Sequence, residues 1–349
     1  MSPTARPSAA IIGAGIAGLA CARALQAAGW QVTLFEKARG PGGRMTSRSL
    51  AAATVDIGAQ FFSVRDEAFR RETELWLKAG LVAPWPWQLW RVTKGQWHYR
   101  HDGRERYAGK PRMSAVTRHL SRGLALEANC RIVSLVRDRG SWSLQDQARQ
   151  HHGPYDHVVI TAPSPQAQEL VAPHDTVLAE ACEGVIQRPC WAAWACFERP
   201  LPTSAGVAHD WQAVMFSEGP LRFVARNDHK PGREQQGESL TLLARLEWSE
   251  AHLEVHETSA ADKLLGAFRA ALPDDTMLPA ITAIGAHRWR YAQPDVFASG
   301  EAVNRDYRLS PTGLALCGDG WRGPRVEDAW LSGHHLGHAL VANDGHATR

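Results

Sequence analysis

Gly13, Gly15 and Gly18 sit between the apolar run "AAII" and the apolar-periodic stretch "IAGLACARALQAAG". A G-x-G-x-x-G pattern entered from a short buried strand, Ala9–Ile12, and leaving into a helix suits the binding of a dinucleotide. Gly13 permits the tight turn, Gly15 lets a pyrophosphate approach the backbone, and Gly18 lets helix and strand pack closely. Ala14, Ile16 and Ala17 belong to the same turn and helix start, where free N–H groups receive phosphates. Gly29 stands where a helix stop is expected. "WQVTLFE" then reads as a second strand ending in Glu36, 18 residues beyond Gly18. A carboxylate there accepts hydrogen bonds from both hydroxyls of an adenosine ribose and repels a 2′-phosphate. These residues leave the choice between FAD and NAD open.

The next stretch, "FEKARGPGGRMTSRS", exceeds what a plain NAD domain needs. Gly42 and Gly43 let the backbone pass near a ligand, and Arg44 can clamp phosphate oxygens in a forked contact. "VDIGAQFF", Val55–Phe62, reads as strand, tight turn and aromatics. "LALCGDG" reads as a buried strand ending at a glycine turn that presents Asp319. "VEDAWLSGHHLGHAL" reads as a helix starting near Val326, whose positive dipole end favours negative charge.

Together "GAGIAGLACARAL", "FEKARGPGGRMTSR" and "DIGAQFF" closely resemble the flavin amine oxidase superfamily, and within it the renalase branch. "YDHVVITAPSPQA", Tyr155–Ala167, resembles the family's strand and proline turn beside the flavin. "LRFVARNDHKPGR", Leu221–Arg233, and "HRWRYAQP", His287–Pro294, resemble renalase segments of the substrate side, and Leu314–Leu340 resembles the C-terminal flavin motif. The resemblance implies non-covalent FAD. It assigns to the cofactor, besides Gly13–Gly18 and Glu36, the residues Lys37, Gly43, Arg44, Met45, Gly58, Ala59, Gln60, Phe61, Val133, Thr161, Asp319, Val326, Glu327 and Ala329. It puts Trp289 on a substrate pocket wall, and Phe62 and Asn227 are the further candidates for that pocket. Asp319 would hold a ribityl hydroxyl, and the last helix would face the flavin edge that gains negative charge on reduction. The family usually carries Gly where this chain has Asp328, so a carboxylate here is expected to oppose reduction unless it points to solvent.

The implied fold class is α/β. A Rossmann-type FAD-binding domain, roughly 1–65, 112–165 and 288–349, is interleaved with a mixed-sheet substrate domain, 66–111 and 166–287, as in p-hydroxybenzoate hydroxylase-like folds. The sequence supplies matching elements. Asp66–Ala79 reads as an amphipathic helix. "PWPWQLWRVTKGQWHYR" reads as strands around a turn at Lys94–Gly95, and "CRIVSLVRDRGSWSLQD" as strands around Arg139–Gly140. Gly232–Gly237 is the most polar loop.

The 349 residues suffice for two domains, and a net charge of +3 is too small to argue for nucleic acid or an anionic membrane. Six scattered cysteines without a Cys-x-x-Cys pair suit reduced thiols in a cytosolic protein better than a disulfide frame or a zinc site. Arg6 and the "ARA" tripeptide allow a secretory signal, but three glycines weaken the helix such a signal needs. The expectation is a cytoplasmic protein with neither membrane nor nucleic-acid partner.

Other residues invite a role and have a plainer reading. Trp85, Trp87, Trp90 and Trp97 can line a flat pocket or pack the core of a large sheet. Arg226 and Asn227 can meet a polar substrate group or form a surface turn. His334, His335 and His338 read as a solvated helix face, not a metal site. Ser332 lacks the G-x-S-x-G elbow of a nucleophile.

The implied activity is hydride transfer from a small molecule to flavin N5, with O2 as acceptor and H2O2 as product. The renalase resemblance implies isomeric dihydro-NAD(P) as substrate, restored to NAD(P)+. Loss of a hydride to leave an aromatic cation needs no general base, so no catalytic acid or base is expected. The alternatives are an amine oxidase, a desaturase, or a flavin-binding module without turnover. Lys37, Lys78, Lys94, Lys110, Lys230 and Lys263 all lie outside the "WRY" segment and the C-terminal motif. That counts against an amine oxidase, where the family commonly places a lysine near flavin N5.

Overall fold

In the computed structural model, residues 6–51, 53–100, 103–202, 211–233, 237–273, 276–296, 298–300 and 305–347 are described. The chain divides into two units, 1–43, 117–187 and 293–349 in the first and 44–116 and 188–292 in the second.

The first unit is built on a six-stranded sheet in the order Ala125–Ala128, Gln31–Glu36, Ser8–Ile12, His157–Ile160, Leu314–Cys317, Tyr307–Leu309. All neighbours run parallel except the last pair. Its central strands are continuous apolar runs, "AAII", "VVI" and "LALC", as strands covered on both faces require. The helices Ile16–Ala27 and Val326–Ala347 pack against each other through small residues. A Cβ at Gly333 would lie 2.0 Å from the Ala17 carbonyl oxygen, so the helix backbones approach closely there. A three-stranded antiparallel sheet, Ile132–Asp138, Ser141–Asp146 and His151–Tyr155, completes the unit. Its first turn uses left-handed Arg139 and Gly140, as expected.

The second unit centres on a seven-stranded mixed sheet in the order Ile281–Pro294, Gln187–Phe197, Glu238–Ala244, Leu221–Arg226, Ala213–Phe216, Leu89–Thr93, Gln96–Tyr99. Helix Glu257–Arg269 buries Leu264, Leu265 and Phe268 in a core with Trp191, Trp211 and Val224. Helix Glu67–Lys78 starts at Asp66, whose side chain accepts from the Ala68 and Phe69 amides, and buries Phe69, Thr73 and Trp76. The hairpin at Lys94–Gly95 forms with both residues at positive φ.

Two boundaries lie 22 residues from the sequence expectation and the other two within five. Residues 44–65 cluster with the second unit because Thr54–Asp56 is tied to its polar core through Asp56. Residues 166–187 cluster with the first because Leu170, Val171 and Leu178 pack onto Phe35, Leu135 and Trp142. The tryptophans divide as well. Trp85 is buried, Trp90 and Trp97 pack against the sheet core, and Trp87 is exposed. Of the polar loop Gly232–Gly237, residues 234–236 lie outside the described residues.

Candidate functional site

In the first unit the glycine turn leaves the C-terminal end of the central strand, where open parallel sheets bind ligands. Gly13 donates to the Phe35 carbonyl at 2.8 Å and has φ 109°, and a Cβ there would lie 2.4 Å from Thr161 Oγ1. Thr161 Oγ1 in turn donates to the Ile12 carbonyl at 3.0 Å. A Cβ on Gly18 would lie 2.1 Å from the Gly13 carbonyl oxygen, so this position admits only glycine. Gly15 is the reverse case, with nothing within 4 Å of a Cβ, and its open side faces no protein atom. Helix Ile16–Ala27 begins at Gly15 with no side-chain cap and no acid in its first turn. An uncapped helix start beside an open glycine is able to receive a phosphate. Gly42 donates to the Ala14 carbonyl at 3.0 Å, which lays the Gly-Pro-Gly-Gly segment against the turn.

Glu36 is buried at the end of the second strand, its Oε2 accepting from Ala14 N at 2.9 Å and its Oε1 from Ala38 N at 2.8 Å. Two backbone donors hold the carboxylate beside the turn, with further lone pairs for ribose hydroxyls. Lys37 Nζ reaches Gln166 Oε1 at 3.3 Å. The structure brings the turn, Glu36, Gly43 and Thr161 together. Val133 stands on the surface where the pairing of its strand slips, with its side chain exposed.

Asp319 opens a short helical turn, Asp319–Arg322, and is buried. Gly318, at φ 133°, donates to Ser332 Oγ at 2.8 Å, which locks the turn to helix Val326–Ala347. Val326 and Ala329 lie in the first turn of that helix, half-buried, and Glu327 is buried. The start of the helix borders a cavity of about 390 Å³ whose walls include Arg322, Arg325 and Asp328.

Asp328 corrects the expectation for its position. It is buried, not turned to solvent, and its carboxylate meets the Arg325 guanidinium at 2.9 and 2.8 Å and the Arg325 backbone N at 3.2 Å. That is half of a capping box with its charge neutralised. The histidine face is also corrected in part. His335 Nδ1 lies 2.5 Å from Asp306, which also binds Arg322 at 2.9 Å, and His334 stacks on Trp330.

In the second unit residues 54–62 are braced by a buried polar network that sequence reasoning missed. Asp56 Oδ2 accepts from Lys230 Nζ at 2.8 Å and from the Arg233 guanidinium, and its Oδ1 accepts from Ser47 Oγ at 2.6 Å. Burial alone raises the pKa of the Asp56 carboxyl, but the Lys230 and Arg233 charges outweigh it and hold it at about 2. Burial lowers Lys230 against the pull of Asp56, to about 8. Gln60 accepts from Lys230 at 2.9 Å and donates to the carbonyls of Asp56 and Gly58. Ala59 donates to the Arg44 carbonyl at 2.8 Å, and a Cβ on Gly58 would lie 2.0 Å from that oxygen. Arg44 Nη1 donates to the Ala292 carbonyl at 3.2 Å, and Met45 is buried. Phe61 is half-buried against Trp85 and Phe223, and Trp289 Nε1 donates to the Ile57 carbonyl at 2.7 Å.

Two of the expected pocket residues point into the unit's interior. Phe62 is buried in an edge-on cluster with Phe69 and Trp76. Asn227 is fully buried, its amide N donating to Thr241 Oγ1 at 2.9 Å and its oxygen accepting from Asp56 N and Arg233. Its neighbour Arg226 is buried against Glu238, so neither residue forms a surface turn. The one sequence signal for this network was opposite charge, an acid in "DIGAQFF" and cations in "NDHKPGR".

Comparison with known proteins agrees with this geometry. The family model of the NAD(P)-binding Rossmann-like domain matches residues 11–71, and that of the flavin containing amine oxidoreductases matches residues 66–335. Hydroxyneurosporene desaturase of Rubrivivax gelatinosus is 47% identical over 55 residues, 16% of this chain and 10% of that protein. The chain thus matches only about a tenth of that relative's length. Among solved structures, a protein provisionally named a protoporphyrinogen oxidase, from Exiguobacterium sp. 255-15, superposes with a TM-score of 0.75 at 12% identity, covering 97% of this chain and 99% of that one. A putrescine oxidase triple mutant redesigned in cofactor binding gives 0.72 at 12%, over 97% and 99% of the two chains. At such identity these two likenesses are of fold.

Proposed function

This chain belongs to the flavin containing amine oxidoreductase family and is an FAD-dependent oxidoreductase, and from that premise we propose that it oxidises isomeric dihydro-NAD(P) to NAD(P)+. Bound FAD would supply a two-electron acceptor for the substrate's hydride, with O2 as the final acceptor and H2O2 as the product. The uncapped helix start at Gly15 would receive the pyrophosphate, and Glu36 the ribose. Asp319 would hold a ribityl hydroxyl, and the start of helix Val326–Ala347 would favour negative charge on the ring. Arg325 prevents Asp328 from opposing that charge. By the resemblance, Gly58–Phe61 are assigned to the cofactor and Trp289 to the substrate. FAD is held without a covalent bond. Cys317, the cysteine of the C-terminal motif, is buried in a strand, and acid precipitation should leave a colourless pellet.

One observation carries the substrate reading. The two segments that resemble the renalase branch converge on the same short stretch. Lys230, Arg233 and Asn227 bind Asp56, and Trp289 binds Ile57. Lys230 is thereby a fixed buried cation over the Trp85 ring, not a free amine. A substrate that loses only a hydride and becomes an aromatic cation needs no such base. The chain's task is to hold two flat rings at near-attack distance. Six scattered cysteines without a Cys-x-x-Cys pair support a cytoplasmic setting; no helix among the described residues is long and apolar enough to cross a membrane.

Oxidation of an amine, or desaturation of a larger apolar substrate, is the second reading, favoured by the local match to a desaturase and the fold match to an amine oxidase. Steady-state turnover separates them. A borohydride-reduced NAD preparation rich in minor dihydro isomers should yield one H2O2 and one NAD+ per isomer consumed, while amines yield none. Peroxide from an amine alone would replace the proposal.

A further inference from the structure

Outside the nucleotide turn, one thiol, one carboxylate and one imidazole meet in the first unit. Cys130 follows the strand Ala125–Ala128, Asp146 ends Ser141–Asp146, and His152 lies in His151–Tyr155. Cys130 Sγ is 3.6 Å from Asp146 Oδ2 and 3.8 Å from His152 Nε2, and His152 Nε2 is 3.1 Å from Asp146 Oδ2. Zinc bonds of about 2.3 Å to sulfur and about 2.0–2.1 Å to nitrogen and oxygen set tetrahedral edges of roughly 3.3–3.6 Å. The triangle formed by these three atoms is within a few tenths of an ångström of one tetrahedral face.

The surroundings hold each group in place. Asp146 Oδ1 accepts from the Ala148 and Gln150 amides at 2.8 and 2.9 Å, which leaves Oδ2 as the single oxygen facing the thiol and the ring. The His152 ring packs on Phe35 with centroids 4.9 Å apart. Asn129 takes a left-handed φ of 56°, and Cys130 N donates to the Glu36 carbonyl at 2.9 Å, so the thiol hangs from a rigid corner. His152 is 20% exposed, which gives an ion access from solvent. Burial and then Asp146 push the Cys130 thiol up to about 11, so without an ion it is protonated and donates to Asp146.

We propose that Cys130, Asp146 and His152 form a site for one divalent first-row transition metal, zinc above all, with water as the fourth ligand. Thiolate with imidazole selects a borderline-soft ion over magnesium or calcium. A dication is balanced by one thiolate and one carboxylate. Binding sends the thiol proton to solvent and moves the imidazole proton to Nδ1, leaving Nε2 as ligand. The ion ties the ends of three strands together and stabilises this corner of the unit. Sequence spacing concealed the site, because it uses a single cysteine and ligands brought together by sheet pairing.

The test uses the FAD-loaded protein stripped of metal, titrated with zinc against a chromogenic chelator. One zinc per chain is expected. Cys130→Ser and His152→Gln should each weaken it by more than about 100-fold, while His151→Gln, on the neighbouring exposed histidine, should not. Zinc should raise the unfolding midpoint of the parent protein and of neither ligand variant. Cobalt substitution of the parent protein gives a second readout that needs no variant, a sulfur-to-cobalt charge-transfer band with visible bands to the red of the flavin. No zinc uptake, cobalt binding without the sulfur band, or unchanged affinity in either ligand variant would overturn the proposal.

Discussion

Asp56 shows how single residues set the stability of this protein. It faces two buried cations, Lys230 and Arg233, in the second unit. Asp56→Asn should destabilise by about 3–5 kcal/mol, because both cations lose their counter-charge while still buried. Denaturant unfolding measures it. The carboxyl is held at about 2, below its unfolded value of about 3.9. A depressed carboxyl stabilises above its unfolded pKa and loses that contribution as pH falls towards the folded one. The parent protein should therefore lose stability between about pH 4 and pH 2 more steeply than Asp56→Asn. Glu36 is a different case, since its carboxylate was legible from spacing alone. Glu36→Gln keeps one backbone acceptor and sets an NH2 against the other amide, so FAD affinity should fall on the order of tenfold, read by flavin fluorescence. Asn227 and Phe62 were not legible in the same way. A polar residue in "ARND" and an aromatic after "GAQ" look alike whether they face a ligand or the interior. Only the tertiary partners, Thr241 and Arg233 for one and Phe69 and Trp76 for the other, decide it.

Local elements followed their sequence signals where backbone chemistry is local. The strand–turn–helix at Ser8–Ala27, the capped helix after Asp66 and the hairpins at Lys94–Gly95 and Arg139–Gly140 all form as read. Each depends on glycine, a cap or alternation within a few residues. The helix Val326–Ala347 was legible as a helix, but the partner of Asp328 was not, because Arg325 lies just outside the "VEDA" motif. Arg325→Met should leave a buried carboxylate unpaired and make the flavin's midpoint potential more negative, and a second change, Asp328→Gly, should restore it. Spectroelectrochemical titration reads both. The packing of this helix on Ile16–Ala27 gives a sharper test. Gly333→Ala sets a methyl 2.0 Å from the Ala17 carbonyl oxygen, where the atom in the way is backbone. It should lower the unfolding midpoint and release FAD, since the displaced helix carries the phosphate-binding turn.

Across the whole chain, the interleaving of two units is a tertiary fact that motif order suggested and motif content could not place. Residues 44–65 follow the nucleotide motif in sequence, yet they cluster with the second unit through the Asp56 network. The mixed order of the seven-stranded sheet is likewise set by non-local pairing, including a parallel pair between Leu89–Thr93 and Ala213–Phe216, far apart in sequence. On the proposed function, the assembled chain presents FAD to a dihydropyridine substrate. Anaerobic mixing of the yellow protein with the NAD isomer preparation, while the flavin's visible band is followed, tests it most directly. Rapid bleaching by the isomers, reversed by air and not produced by amines, is the result expected. Bleaching by an amine with no response to the isomers would contradict it.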